Sequence, residues 1–180
     1  MLIGLVGKIG SGKDSVAEIL LKKFDFQKQI RFSDPITEFL ENINLKLNRE
    51  NYQKVGFYLR DIFGRRIIVD TIVNRIRNIS EENIIVNGIR FRIEFEAIKN
   101  LNGKTIGIIT EDKIRFQRVN ERKRFGRIIN WEEFHQYEQK ETEIQIGDLL
   151  KKTDLTIYNS GSLLNLEEEI NNLMNKINFK

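Results

Sequence analysis

Seven residues near the start of the chain, Gly7-Lys8-Ile9-Gly10-Ser11-Gly12-Lys13, have the types and spacing to hold a polyphosphate. Glycines permit backbone dihedrals that a Cβ forbids, so successive N–H groups can turn inward and form a nest for phosphate oxygens. Lys13 ends the run as a point charge placed to reach the outer phosphates. Asp14 stands where a hydroxyl usually meets magnesium, and the hydroxyl arrives one position later, at Ser15. This order suits Ser15 to an inner phosphate and Asp14 to magnesium held through water, because that ion keeps several of its waters. Such a nest needs a strand before it and a helix N-terminus after it, whose partial positive charge adds to the site. Both are present: Leu2 to Val6 read as an apolar strand, and Val16, Ile19, Leu20 and Phe24 recur at helical spacing.

Five other groups could serve the same chemistry. Asp34 precedes Pro35 after a weak strand pattern, Phe26 to Phe32. It reads equally as a helix N-cap and as a carboxylate that orients an acceptor hydroxyl or a magnesium water. Arg60, Arg65 and Arg66 flank Gly64 between helical stripes and could clamp an anion, or simply form a solvated basic face. Arg90 follows a glycine at the end of the apolar run Ile84 to Asn87 and is placed to grip a phosphate; its alternative is a salt bridge to Glu94 at helical spacing. Arg115, Arg118 and Arg122 recur at steps of three and four and so share a helical face, which suits a lid over transferring phosphates better than an RNA surface poor in stacking residues. Near the C-terminus, Asn159-Ser160-Gly161-Ser162 turns from a strand into the final helix and permits contacts from Asn159 and the turn backbone to a purine.

The elements that must position these groups follow from periodicity. Gly7, Asp34, Asn87, Thr110 and Asn159 each come after an expected strand, and in an open parallel sheet all such ends face one ligand crevice. Helical stripes fill residues 35–80, and Asn130-Trp131-Glu132-Glu133 has the form of a capping box. The chain of 180 residues fits a single domain, 1–180, without repeat or linker. Apolar residues make up 40% and charged residues 31%, a soluble balance, and no apolar run approaches the ~20 residues of a membrane span. The strand at residue 2 leaves no room for a signal peptide, so a cytoplasmic location is expected. Cysteine is absent and the one histidine cannot build a zinc cluster, which leaves magnesium as the expected metal. A net charge of +4 suits anionic small molecules and does not call for nucleic acid. The sequence does not speak to oligomeric state.

On these residues the chain resembles the P-loop nucleoside monophosphate kinase superfamily, especially dephospho-coenzyme A kinase, phage-type deoxynucleoside monophosphate kinases and related archaeal P-loop kinases. The run Gly7 to Ser15 is similar to the loop ending Ser-Gly-Lys-Asp-Thr/Ser of the deoxynucleotide kinases. Phe32-Ser33-Asp34-Pro35-Ile36 resembles their Phe-Ala-Asp-Pro segment, and Asn87-Gly88-Ile89-Arg90-Phe91 resembles an Asp-Val-Arg-Phe segment with the acid replaced by Asn. Arg118 and Arg122 match lid arginines; Trp131 to Phe134 and Asp154 to Leu163 match the closing segments, with Asn159 and Gly161 at the adenine loop. The resemblance implies a three-layer α/β fold, a parallel sheet of about five strands, and helical insertions at roughly 35–80 for the acceptor and 112–130 for the lid. It implies phosphoryl transfer from ATP with Mg2+ to a nucleotide or nucleotide-like acceptor, with dephospho-coenzyme A or slow hydrolysis in a switch module as alternatives. Lys13, Asp34, Arg118 and Arg122 would be catalytic, Asp34, Arg60, Arg65 and Arg90 would bind the acceptor, and Asp14 and Ser15 would meet the metal.

Overall fold

The computed structural model describes residues 1–139 and 141–177. In chain order the elements are β1 (Leu2–Val6), α1 (Lys13–Lys23), β2 (Lys28–Arg31), α2 (Asp34–Asn42), α3 (Arg49–Phe63), α4 (Ile67–Arg77), β3 (Ile84–Ile89) and α5 (Arg92–Asn100). There follow β4 (Lys104–Ile109), α6 (Asp112–Glu121), α7 (Trp131–Glu138), α8 (Glu141–Ile144), α9 (Ile146–Leu150), β5 (Leu155–Tyr158) and α10 (Leu163–Lys176). The five strands are all parallel, in the order β2-β3-β1-β4-β5. Short β-rich runs separated by helix-length stripes can pair only this way, because parallel neighbours need a crossover between them. The α/β class and the five-stranded sheet match the sequence expectation.

Alternation along the strands divides the core. Ile3 and Leu5 of β1 and Ile85 of β3 pack with Val16 and Leu20 of α1 and Ile170 and Met174 of α10 on one face. Val6, Ile84, Val86 and Ile89 pack with Leu40 of α2, Ile72 of α4, Ile98 of α5 and Leu149 of α9 on the other. That is the period-two pattern of a sheet covered on both sides. A separate small core of Val119, Ile129 and Phe134 joins α6 to α7, so the basic stretch forms part of a helical hairpin that runs on through α7. Among the described residues no helix is long and apolar enough to cross a membrane.

One irregularity serves the site. Gly4 of β1 pairs with Val86 but Val6 pairs with Ile89, so β3 carries an extra residue at Asn87-Gly88. Gly88 has φ +82°, a conformation that L side chains rarely adopt. The bulge re-aims the strand end. It buries Asn87 and lets its amide Nδ2 reach the Asp14 carboxylate, 3.0 Å away.

Candidate active site

The loop between β1 and α1 is held from behind. Asn159, at the end of β5, donates from Nδ2 to the Ser11 carbonyl at 2.8 Å, and Thr110, at the end of β4, donates its hydroxyl to the same carbonyl at 3.1 Å. Arg115 of α6 donates to the Ile9 carbonyl at 3.0 Å. Gly12 sits at φ +91°, and a Cβ there would come within 2.1 Å of the Asn159 amide, so the turn and its strut admit nothing larger. Anchoring the Ile9 and Ser11 carbonyls in this way fixes the shape of the turn, which a phosphate nest requires.

Lys13 folds back over this loop, donating from Nζ to the carbonyls of Gly7 and Lys8. Desolvation pulls its pKa down to about 8, and the neighbouring Arg90 charge acts in the same direction; Glu143 and Asp14 oppose them. These couplings bring Lys13, Asp14, Arg90 and Glu143 into one electrostatic unit. Asp14 is exposed, and its Oδ1 takes the Asn87 amide at 3.0 Å and a longer contact from Arg31 at 3.4 Å. The charge that commonly stands at the strand end is here on the helix, with the neutral amide on the strand. An outward carboxylate with one oxygen free of hydrogen bonds among the described residues, followed by Ser15, is a donor set that fits magnesium bound partly through water.

A cavity and a cluster of charged residues flank the loop. On one side Gly12, Ser15, Arg118, Arg122, Asn159, Gly161, Leu163 and Leu166 line a cavity of about 150 Å³. Six residues singled out from the sequence, Gly12, Ser15, Arg118, Arg122, Asn159 and Gly161, therefore meet there. Arg118 donates to the Asn159 carbonyl at 3.0 Å. Asn159 itself, expected to face a purine, has its side-chain amide engaged by Ser11 and acts as a strut of the loop.

On the other side Arg90 leaves β3 and pairs with Glu143 at 3.1 Å. Its backbone N–H and that of Phe91 donate to the Glu94 carboxylate at 2.7 and 3.2 Å, which closes the N-terminus of α5. Sequence spacing pairs Glu94 with Arg90 through its charge; in the structure the bond runs to the backbone amide instead. Burial raises the Glu94 pKa to about 7 against the pull of those two amides. Arg60 lies 4.8 Å over the Phe91 ring and ties to the Gly56 carbonyl. Arg49 of α3 lies over the rings of Phe125 and Tyr137 and faces Glu143 from 3.8 Å.

Three sequence candidates stand elsewhere. Asp34 opens α2, and its carboxylate accepts the Arg31 amide at 2.7 Å, while Ser33 holds the N-cap position. Asp34 thus reaches Asp14 only through Arg31, and it also lines a groove of about 690 Å³ beside Arg75 along the edge strand. Arg65 is exposed in the turn between α3 and α4, apart from these contacts. Arg115, placed on the lid face by periodicity, is only 1% exposed; it pairs with Asp112 at 2.6 Å and Glu138 at 2.8 Å beneath the loop. A helical period says which residues share a face, and the first turn of this face points inward. Glu138 also reaches Lys8 at 3.4 Å and the single histidine, His135, at 3.5 Å. Asp112, His135 and Glu138 come together closely enough for a metal, yet the Arg115 guanidinium already supplies their positive charge. Neither Arg49 nor Glu143 lies in a motif, and their meeting joins distant parts of the chain.

A glycine-rich loop between the first strand and the first helix of a five-stranded parallel sheet, with helical insertions on either side, defines the fold. Solved structures share it: TT1252 from Thermus thermophilus (TM-score 0.65, 17% identity, 98% of this chain and 97% of that one) and dephospho-CoA kinase from Campylobacter jejuni (TM-score 0.57, 20% identity, 98% and 96%). Shikimate kinase from Bacteroides thetaiotaomicron superposes equally well (TM-score 0.65, 17% identity, 98% of each chain). At these identities the likeness shows the fold. Among curated proteins the chain is similar to UPF0200 proteins of archaea, with 29% identity to one of Pyrococcus furiosus over 98% of this chain and 97% of that protein, and 26% to one of Thermococcus gammatolerans over 98% and 95%. No protein-family model matches the chain.

Proposed function

We propose that the chain is an ATP- and magnesium-dependent phosphotransferase whose acceptor is a nucleotide or nucleotide-like molecule. The observation that carries this reading is a basic cavity beside the loop together with a separate basic cluster: Arg118 and Arg122 line the cavity, and Arg90 gathers with Arg49 around Glu143 and with Arg60 around Phe91. A switch that only binds nucleotide needs the first and has no use for the second.

In this reading the amides of Gly7 to Gly12 and the Lys13 ammonium bind the outer phosphates of ATP, with Ser15 at an inner one. Arg118 and Arg122 neutralise charge on the transferring group, and Asn159 and Gly161 border the nucleotide. Asp14 and Ser15, steadied by Asn87, hold the metal; bound there, magnesium would offset charge between the outer phosphates. Arg90 and Arg60 anchor the acceptor, with Arg65 at its outer rim. Asp34 acts as a positioning residue, holding Arg31 against Asp14. Catalysis of this kind is orientation and charge neutralisation, which is what fixed guanidinium groups supply.

Dephospho-coenzyme A is the alternative acceptor. The neutral Asn87 at the strand end favours a second reading, a nucleotide-binding switch that hydrolyses slowly. The deciding experiment gives the protein ATP and magnesium with a panel of nucleoside and deoxynucleoside monophosphates and dephospho-coenzyme A. A phosphorylated acceptor, lost in Lys13→Ala, is the expected result. Slow phosphate release indifferent to every acceptor, or undiminished turnover in Lys13→Ala, overturns the proposal.

A further inference from the structure

Arg49 is a charge that the fold holds but incompletely answers. Its guanidinium lies 5.3 and 5.2 Å from the ring centroids of Phe125 and Tyr137, and its Nε and one terminal nitrogen are sealed from solvent without a hydrogen bond among the described residues. The carboxylate facing it, Glu143, is 3.8 Å away, beyond hydrogen-bond range. The same Glu143 oxygen pairs with Arg90 at 3.1 Å, and the Glu143 side chain is only 5% exposed. Arg90, Glu143 and Arg124 all act on the charge of Lys13, so this cluster lies near the end of the glycine loop.

One carboxylate oxygen between two guanidinium groups leaves an anion site underfilled. Each guanidinium presents a planar fork of donors, and one carboxylate brings a single charge to both. A phosphomonoester brings nearly two charges and three acceptor oxygens.

We infer that Glu143 is a resident substitute for the acceptor's phosphate, holding Arg49 and Arg90 together until a phosphomonoester displaces it. The inference rests on the kinase reading and narrows it. The acceptor must carry a phosphate dianion, because one carrying a single carboxylate would exchange one monoanion for another without gain. Arg49 becomes an acceptor-binding residue. Displacement of Glu143 also frees α8 from the end of β3, which ties arrival of the acceptor to movement of the segment after α7.

The probe is inorganic phosphate at about pH 8, where it is chiefly a dianion, titrated calorimetrically into the full chain after the loop has been filled with ADP and magnesium. Glu143→Gln should bind phosphate about tenfold more tightly than the unaltered protein, the worth of one charged hydrogen bond no longer competing. The gain should vanish when Arg49→Gln is added, and acetate should show no comparable gain. Arg49→Lys keeps the charge and the stem but loses the fork, and should weaken phosphate binding several-fold even if Glu143→Gln fails to fold. Phosphate affinity unchanged in Glu143→Gln, or unaffected by either Arg49 change, overturns the inference and leaves Glu143 a structural strut. The first stage keeps the two proposals apart: ADP that binds while phosphate fails to respond removes only this inference, whereas ADP that does not bind removes the kinase reading itself.

Discussion

On the proposed reading, raising the pH should loosen the grip of the loop on ATP, because Lys13 would enter the encounter already close to losing its proton. Desolvation, helped by the Arg90 charge, holds its pKa at about 8 in the empty protein. Once the triphosphate oxygens surround it, the ammonium is favoured and its pKa rises well above that value. The bound state therefore carries one more proton than the free state above pH 8, and linkage requires affinity to fall as protons become scarce. The protonated fraction of a group of pKa about 8 drops from about three-quarters at about pH 7.5 to about 3% at about pH 9.5. Affinity should fall roughly twenty-five-fold across that interval, or about 1.9 kcal/mol. The triphosphate is fully ionised throughout, so its own titration does not intrude. Calorimetric titration of ATP at fixed magnesium measures the slope, and Lys13→Arg is the control, since a guanidinium keeps its charge over this range. Glu143→Gln removes a charge that supports the ammonium and should shift the midpoint to lower pH. Affinity constant within twofold across the interval, or an equal slope in Lys13→Arg, refutes the reasoning.

Removing Arg115 should destabilise the whole domain. Arg115→Met takes from the largely buried Glu138 its shortest ion pair and leaves it only the longer contacts to Lys8 and His135, a loss of about 3 kcal/mol, which a thermal melt should report as a fall of roughly 10 °C; a melt within about 2 °C of the original refutes it. Glu94 makes a pH-dependent contribution of unusual sign. Its pKa is raised from 4.5 to about 7 on folding, so its stabilisation is full below about pH 4.5 and is lost as the pH rises through about 7. In urea unfolding Glu94→Gln should gain about 3 kcal/mol on the unaltered protein between those limits, and parallel stability curves would sink the claim.

What could be read from the sequence is what lies close along it. The strand, glycine turn and helix of residues 2–23 are one local unit, and their order states their chemistry before any partner is known. The strand ends at Asn87 and Asn159 were also legible, because a parallel sheet sends all such ends to one side. The direction of each side chain at those ends was not. Asn159 turns to the Ser11 carbonyl, and Asp34 to the Arg31 amide, because a polar group that becomes buried or half-buried is claimed by whatever backbone partner is nearest. Glu143 and Arg49 were invisible for a different reason: neither sits in a motif, and only tertiary packing of α8 against α3 and β3 brings them together.

The inward turn of Arg115 changes how a lid could work here. Periodicity made Arg115, Arg118 and Arg122 equal members of a basic face free to close. The structure grades them along α6. Arg115 is locked to the Ile9 carbonyl and Glu138, Arg118 is half-buried against the Asn159 carbonyl, and Arg122 is exposed where the helix ends. A helix fixed at one end in this way cannot swing as a body without parting Arg115 from both Glu138 and the Ile9 carbonyl, at a cost of several kcal/mol. On the proposed reading, closure over a nucleotide would therefore be confined to the outer end of α6 and the turn beyond it, so that the residue free to move is Arg122 and the residue that keeps the glycine loop in shape while it moves is Arg115.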